Sequence, residues 1–195
     1  MRRLLTVICI AFFASPAYAH LPSGEYGSFA AGFSHPLFGL DHVLAMVAVG
    51  LWASMLGGPA VRIVPAAFVS LMIAGFGLAV AGVSLPIVEP MILASTIVLG
   101  LLVALAAKPV LWLSSILVAF LAIFHGHAHG AELGTAGAAR FGLGFALATA
   151  VLHGAGIALG LLAAQASRHL GTAEASVARG LGGLIVLAGL GLAAA

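Results

Sequence analysis

Two short runs hold most of the residues in this chain that could do chemistry. One reads His35-Pro36-Leu37-Phe38-Gly39-Leu40-Asp41-His42, with Met46 after it; the other reads Phe124-His125-Gly126-His127-Ala128-His129-Gly130-Ala131-Glu132. Both lie in apolar surroundings. An ionisable side chain at mid-membrane costs about 2.5–3.5 kcal/mol even on a lenient insertion scale, so each one in a span points to a functional site. Imidazole and carboxylate groups without a thiolate suit Ni²⁺, Co²⁺, Zn²⁺ or Cu²⁺ rather than Mg²⁺ or Ca²⁺. The only cysteine, Cys9, falls in a segment expected to be removed, which leaves no thiolate ligand and no disulfide in the mature chain.

Helical spacing decides which of these side chains can meet. At about 100° per residue, His35 and His42 differ by about 20° and sit two turns apart on one stripe, with Met46 about one turn further. Asp41 lies about 100° round, which suits a neighbouring helix or a bond that orients an imidazole. His125 and His129 have the i,i+4 spacing at which one helical face offers two imidazoles to a single ion, and Glu132 returns to that face if the helix continues. His127 lies about 160° from both, on the opposite face. Glu89, before Pro90, is either a mouth carboxylate or a solvated helix-start residue. His153 lies roughly 20 Å of helix rise into a later span, either a stepping site or a lone histidine bonded to a carbonyl. Taken singly, His129 and Glu132 also read as solvated loop residues, His35 as interfacial, Asp41 with His42 as a buried pair, Met46 as core and His169 as surface. Their joint occurrence favours a metal site.

The elements that position them are membrane helices. Of the 195 residues 63% are hydrophobic and 6% charged, against about 25% charged in a soluble domain, which excludes a water-soluble core. A formal net charge of +2 without a basic run gives no grip on nucleic acid. Arg2 and Arg3, the apolar run Leu4 to Phe13, and Ser15-Pro16-Ala17-Tyr18-Ala19 make a secretory signal, with cleavage after Ala19 and His20 as the mature N-terminus. Six spans follow, about Phe33–Leu56, Val61–Ala81, Ile87–Ala107, Val110–Phe124, Phe141–Ala164 and Val177–Ala193, near the ~20 residues that a bilayer requires. Turn formers break them at Gly57-Gly58-Pro59, Ser84-Leu85-Pro86, Lys108-Pro109, His125 to Arg140 and Ser167 to Ser176. The expected fold is all-α: a signal peptide, residues 1–19, then a polytopic six-helix bundle in one domain, residues 20–195.

With the mature N-terminus outside, the inner loops carry Arg62, Lys108, Arg168 and Arg179; the outer loops carry Glu89 and Glu132, with only Arg140 basic. This is the positive-inside arrangement, and it places both mature ends in the periplasm of a bacterial inner membrane. Both histidine runs then belong to the outer half. Small residues such as Gly75, Gly144, Gly156, Gly160 and Gly182 let helices approach closely. Gly156-x-x-x-Gly160 reads as an internal contact or a homo-oligomer face, and internal packing is favoured.

The same residues resemble the HupE/UreJ family of nickel permease-like hydrogenase and urease accessory proteins. The matching stretches are His35-Pro36-x-x-Gly39-x-Asp41-His42 with Met46, Val88-Glu89-Pro90 leading to Ser95 and Leu99-Gly100, Phe124-His125-Gly126-x-Ala128-His129-Gly130-x-Glu132, and Leu152-His153-x-x-Gly156. The resemblance implies a periplasm-facing permease that supplies Ni²⁺, or sometimes Co²⁺, to metalloenzyme assembly. It carries His35, Asp41, His42, His125, His129 and Glu132 as metal-site residues, and less directly Glu89 and His153. Neither a His-Glu-x-x-His motif nor a Gly-x-Ser-x-Gly elbow occurs, so no enzyme is expected, and no permanently bound cofactor. The His-x4-Asp-His motif of the better-known nickel/cobalt transporters is not matched, since five residues separate His35 from Asp41.

From these residues the expected path is capture by Glu132 and the His20 terminus, dehydration at His42, His125 and His129, and release past His153. The rival class is a membrane electron-transfer protein holding haem b between paired histidines. The aspartate beside His42 and the glutamate after His129 fit a cation path better.

Overall fold

The computed structural model describes residues 28–133, 137–173 and 175–195; the expected signal peptide and His20 lie outside them, as does the side chain of Glu132. Among the described residues the chain forms helices α1 (Phe29–Phe38), α2 (Leu40–Leu56), α3 (Ala60–Val80), α4 (Val88–Ala104), α5 (Leu111–Leu133), α6 (Ala138–His169) and α7 (Ser176–Ala194), with no strand. Four of them, α3, α5, α6 and α7, are long and apolar enough to cross a membrane, and the bent pair α1 and α2 makes a fifth candidate. Helix α4 is apolar but has 17 residues.

Local chemistry sets the boundaries. The Ser28 hydroxyl accepts from Ala31 N–H at 2.9 Å and caps α1. After α2, Gly57 and Gly58 take φ of 73° and 52°, which an L side chain resists, and Pro59 leads into α3. At the C-terminal end of α4, Arg179 Nε–H donates to the Ala104 carbonyl at 2.9 Å and the Trp52 indole to the Ala107 carbonyl at 2.8 Å. The first occupies a carbonyl that the helix end leaves open, and the second occupies one in the turn that follows it.

Two expected spans take a different form. The first, Phe33–Leu56, is not one straight helix: α1 and α2 meet at Gly39 with a bend of 87°. Pro36 lacks the N–H that a continuing helix needs, and Gly39 adopts an extended backbone, φ −86° and ψ 111°. His35 and His42 therefore do not share a stripe of one helix. The fourth, expected over Val110–Phe124 with a break from His125 onward, continues instead: α5 runs to Leu133. Gly126 and Gly130 weaken the helix by propensity yet permit close packing. A Cβ on Gly126 would overlap the Met72 carbonyl, and one on Gly130 would crowd the Phe76 carbonyl. Backbone contact with α3 thus carries α5 past its glycines.

Pairing of α3 with α5, α2 with α6, α4 with α7 and α1 with α6 builds the bundle. Gly156 meets Val47 and Gly160 meets Ser54 of the same chain, so that stretch of α6 is an internal contact. The start of α2, the end of α5 and the start of α6 share one end of the bundle, because His42 touches His129 and His35 touches Phe141.

Candidate functional site

At that end the histidines form a file rather than a cage. His35 and His129 stand with ring centroids 4.4 Å apart, His129 and His42 4.6 Å, and His42 and His125 5.0 Å. They come from α1, α5 and α2. His42, His125 and His129 are buried and His35 is half-buried. Phe141 lies 5.7 Å from His35 and Phe145 4.6 Å from His129, so phenyl rings flank the file. Among the described residues no three His, Cys, Asp or Glu side chains are gathered as a preformed metal cage.

Hydrogen bonds fix where the protons and lone pairs lie. Asp41 Oδ1 accepts from the His42 backbone N–H at 2.8 Å and from the His42 ring at Nδ1, 2.9 Å away. The first bond satisfies one of the amides left open in the first turn of α2; the second puts the His42 ring proton on Nδ1 and its lone pair on Nε2. His129 Nε2 stands 2.8 Å from that lone pair and donates to it. Two imidazole nitrogens bound to one ion at about 2.0–2.1 Å each stand roughly 2.9–3.3 Å apart for angles near 90–109°. The pair is therefore close to the spacing of two ligands, given up of one proton.

His125 is set from a different helix. Ser95 Oγ–H donates to the Ile92 carbonyl at 2.6 Å, so the same oxygen accepts from His125 Nε2–H at 2.8 Å. The His125 lone pair is then on Nδ1, which is buried with no hydrogen-bond partner. Next to it, Thr96 Oγ–H donates to the Asp41 carbonyl at 3.1 Å. Two adjacent hydroxyls on α4 thus hold α5 and α2 in register around the file. Ser95 lies in a stretch quoted above without a role, and Thr96 gave no signal; in an apolar helix each reads as a small packing residue.

Ser95→Ala is expected to release the His125 proton to either nitrogen and to weaken the site's affinity for a divalent ion by about 10–100-fold, the usual cost of losing a group that orients a ligand. Nitrogen-15 spectra of histidine-labelled protein would show two His125 tautomers in the variant and one in the parent; an unchanged spectrum counts against the assignment.

The remaining predicted residues are spread out. His127 points away from the file, as its angle on α5 requires, and donates from Nε2 to the Val83 carbonyl at 2.7 Å. Glu89 is exposed in the first turn of α4, six residues and about 9 Å of rise before Ser95. His153 of α6 is 1% exposed and lies against Phe68, whose ring stands 5.6 Å from His125 and 5.1 Å from His153. The expected alternative for His153, a bond to a carbonyl, is not found: neither ring nitrogen has a hydrogen-bond partner. Leaving a buried polar group unmet costs about 1–3 kcal/mol. Met46 is fully buried core, and His169 is exposed at the end of α6.

Comparison with known proteins covers nearly the whole chain. The family described as HupE / UreJ protein matches residues 8–192. Protein HupE of Rhizobium leguminosarum bv. viciae is 45% identical over 191 residues, covering 97% of this chain and 96% of its own. No solved structure matches the chain significantly.

Proposed function

The chain belongs to the HupE/UreJ family, and from that premise we propose that it is an inner-membrane permease carrying Ni²⁺, with Co²⁺ as an alternative cargo, from periplasm to cytoplasm for hydrogenase or urease maturation. The observation that carries this reading is the file His35, His129, His42, His125, in which Asp41 and Ser95 orient two of the imidazoles. A file of single contacts suits hand-over from ligand to ligand, whereas a closed cage would retain its ion. Asp41 is the one carboxylate among the described side chains in contact with the file.

In this reading α4 is the sixth span beside the bent pair α1/α2, α3, α5, α6 and α7. Arg62, Lys108, Arg168 and Arg179 lie toward the end of the bundle remote from the file, near the start of α3, the α4–α5 connection, the end of α6 and the start of α7. That distribution supports an inside assignment for the remote end and an outside one for the histidines. Capture falls to His20, Glu132 and Glu89, dehydration to His42, His125 and His129, and release to the side of His153.

Haem b fits this arrangement poorly. Axial ligands on opposite sides of one iron need a flat slot for the macrocycle between them, and the facing nitrogens of His42 and His129 are in direct contact at 2.8 Å.

Proteoliposomes holding the purified chain should take up radioactive nickel, with Co²⁺ competing more strongly than Mg²⁺ because imidazole ligands favour later transition metals. Absence of uptake above protein-free vesicles would overturn the permease reading.

A further inference from the structure

One phenyl ring packs against both the imidazole file and His153. Phe68 of α3 is fully buried, and its ring centroid lies 5.6 Å from that of His125 and 5.1 Å from that of His153, the latter edge to face at 89°. His125 Nδ1 and both nitrogens of His153 have no hydrogen-bond partner although all are buried. Such groups are uncommon enough in a folded protein to require an explanation. His153 also borders an open apolar groove of about 330 Å³ at the bundle surface, between Pro65 and Val69 of α3 and Ala150 and Ile157 of α6.

We infer that Phe68 is the selectivity barrier of the passage: its ring fills the step between His125 and His153, so that a cation crosses only by leaving its water behind and moving from one imidazole to the next. The inference rests on the permease reading and adds the residue that makes dehydration obligatory. The consequence is chemical sorting. Ni²⁺ exchanges water for nitrogen ligands, whereas Mg²⁺ prefers oxygen and dehydrates reluctantly. The partnerless nitrogens of His125 and His153 are where a dehydrated ion would find its next ligand. Removing the ring would leave a gap bordered by imidazole nitrogens, polar enough to hold water, and a hydrated ion would no longer need to be stripped.

The test uses the full chain in proteoliposomes with a metal-responsive dye inside, comparing wild type, Phe68→Ala and Phe68→Leu with Ni²⁺ and Mg²⁺ outside. Wild type should admit Ni²⁺ and exclude Mg²⁺. Phe68→Ala should admit both, lowering the Ni²⁺ to Mg²⁺ rate ratio by at least about tenfold through a wetted path. Phe68→Leu, which refills most of the space, should keep the exclusion. Calorimetric Ni²⁺ binding by each purified variant reports whether the file is intact. A Phe68→Ala protein that binds Ni²⁺ as wild type does and still excludes Mg²⁺ overturns the inference. If that variant does not fold, Phe68→Val decides on the same terms, Mg²⁺ entry supporting and Mg²⁺ exclusion overturning. Wild-type vesicles that move no nickel would instead sink the permease reading, and this inference with it, so the two failures are told apart by the wild-type arm.

Discussion

His42→Ala is expected to bring nickel uptake below detection, and Asp41→Asn to lower it by about 10–100-fold, the loss typical of an altered group behind a metal ligand, while both proteins remain inserted at normal levels. His42 joins the two halves of the file, touching His129 and His125; without it the pair His35 and His129 is cut off from His125. Asparagine at position 41 keeps the shape of the side chain but not its charge. A hydrogen bond to a neutral carbonyl is roughly half as strong as one to a carboxylate, and the amide end can turn to offer N–H groups instead. Insertion should not suffer, because each change removes a group that disfavours burial in lipid, by up to about 3 kcal/mol for the aspartate. Membrane fractions quantified by immunoblot alongside uptake give the comparison. Normal nickel accumulation in either variant at matched protein level would remove that residue from the site.

The second large effect separates the three histidines of α5. His125→Ala and His129→Ala should each reduce uptake at least about tenfold by deleting a member of the file, whereas His127→Ala should leave it within about twofold. The cost of the last change falls on stability. His127 holds the Val83 carbonyl at 2.7 Å, and losing that bond costs roughly 1 kcal/mol, more if the carbonyl stays dry. His127→Ala should therefore melt a few degrees lower in detergent with transport intact. Loss of uptake in a folded His127→Ala protein, or its retention in both other variants, would reassign the working face of α5.

Much of this could be read from the chain before any coordinates. Apolar runs of the right length located the helices, and the angles between positions 125, 127 and 129 separated the faces of α5, because a regular helix converts sequence spacing into direction. Where the helix was not regular, that conversion failed. His35 does join the file, but it does so through His129 and a turn of 87° at Gly39, not through a shared stripe with His42. Pro36-x-x-Gly39 was the available warning, since both residues interrupt helices. At Gly126 and Gly130 the reverse holds: glycine suggests a break, but contact with α3 outweighs propensity and the helix continues. Ser95, Thr96 and Phe68 could not be recognised in advance. A hydroxyl or a phenyl group in an apolar span has many uses, and only its neighbours show which one applies.

The bend at Gly39 also sets the field in which an ion would arrive. A helix interrupted beside a site turns two termini toward it, a partly negative end from the segment that stops and a partly positive end from the one that starts. Here α1 ends at Phe38, three residues before Asp41, and α2 begins at Leu40, one residue before it. The positive end of α2 by itself would repel a cation, by an amount of order 0.3–1 kcal/mol, and Asp41 in its first turn reverses that sign. The carbonyls closing α1 add attraction from the other segment. An uninterrupted helix through Gly39 would have supplied neither pole, leaving the imidazoles with the Asp41 carboxylate alone to draw a doubly charged ion out of water.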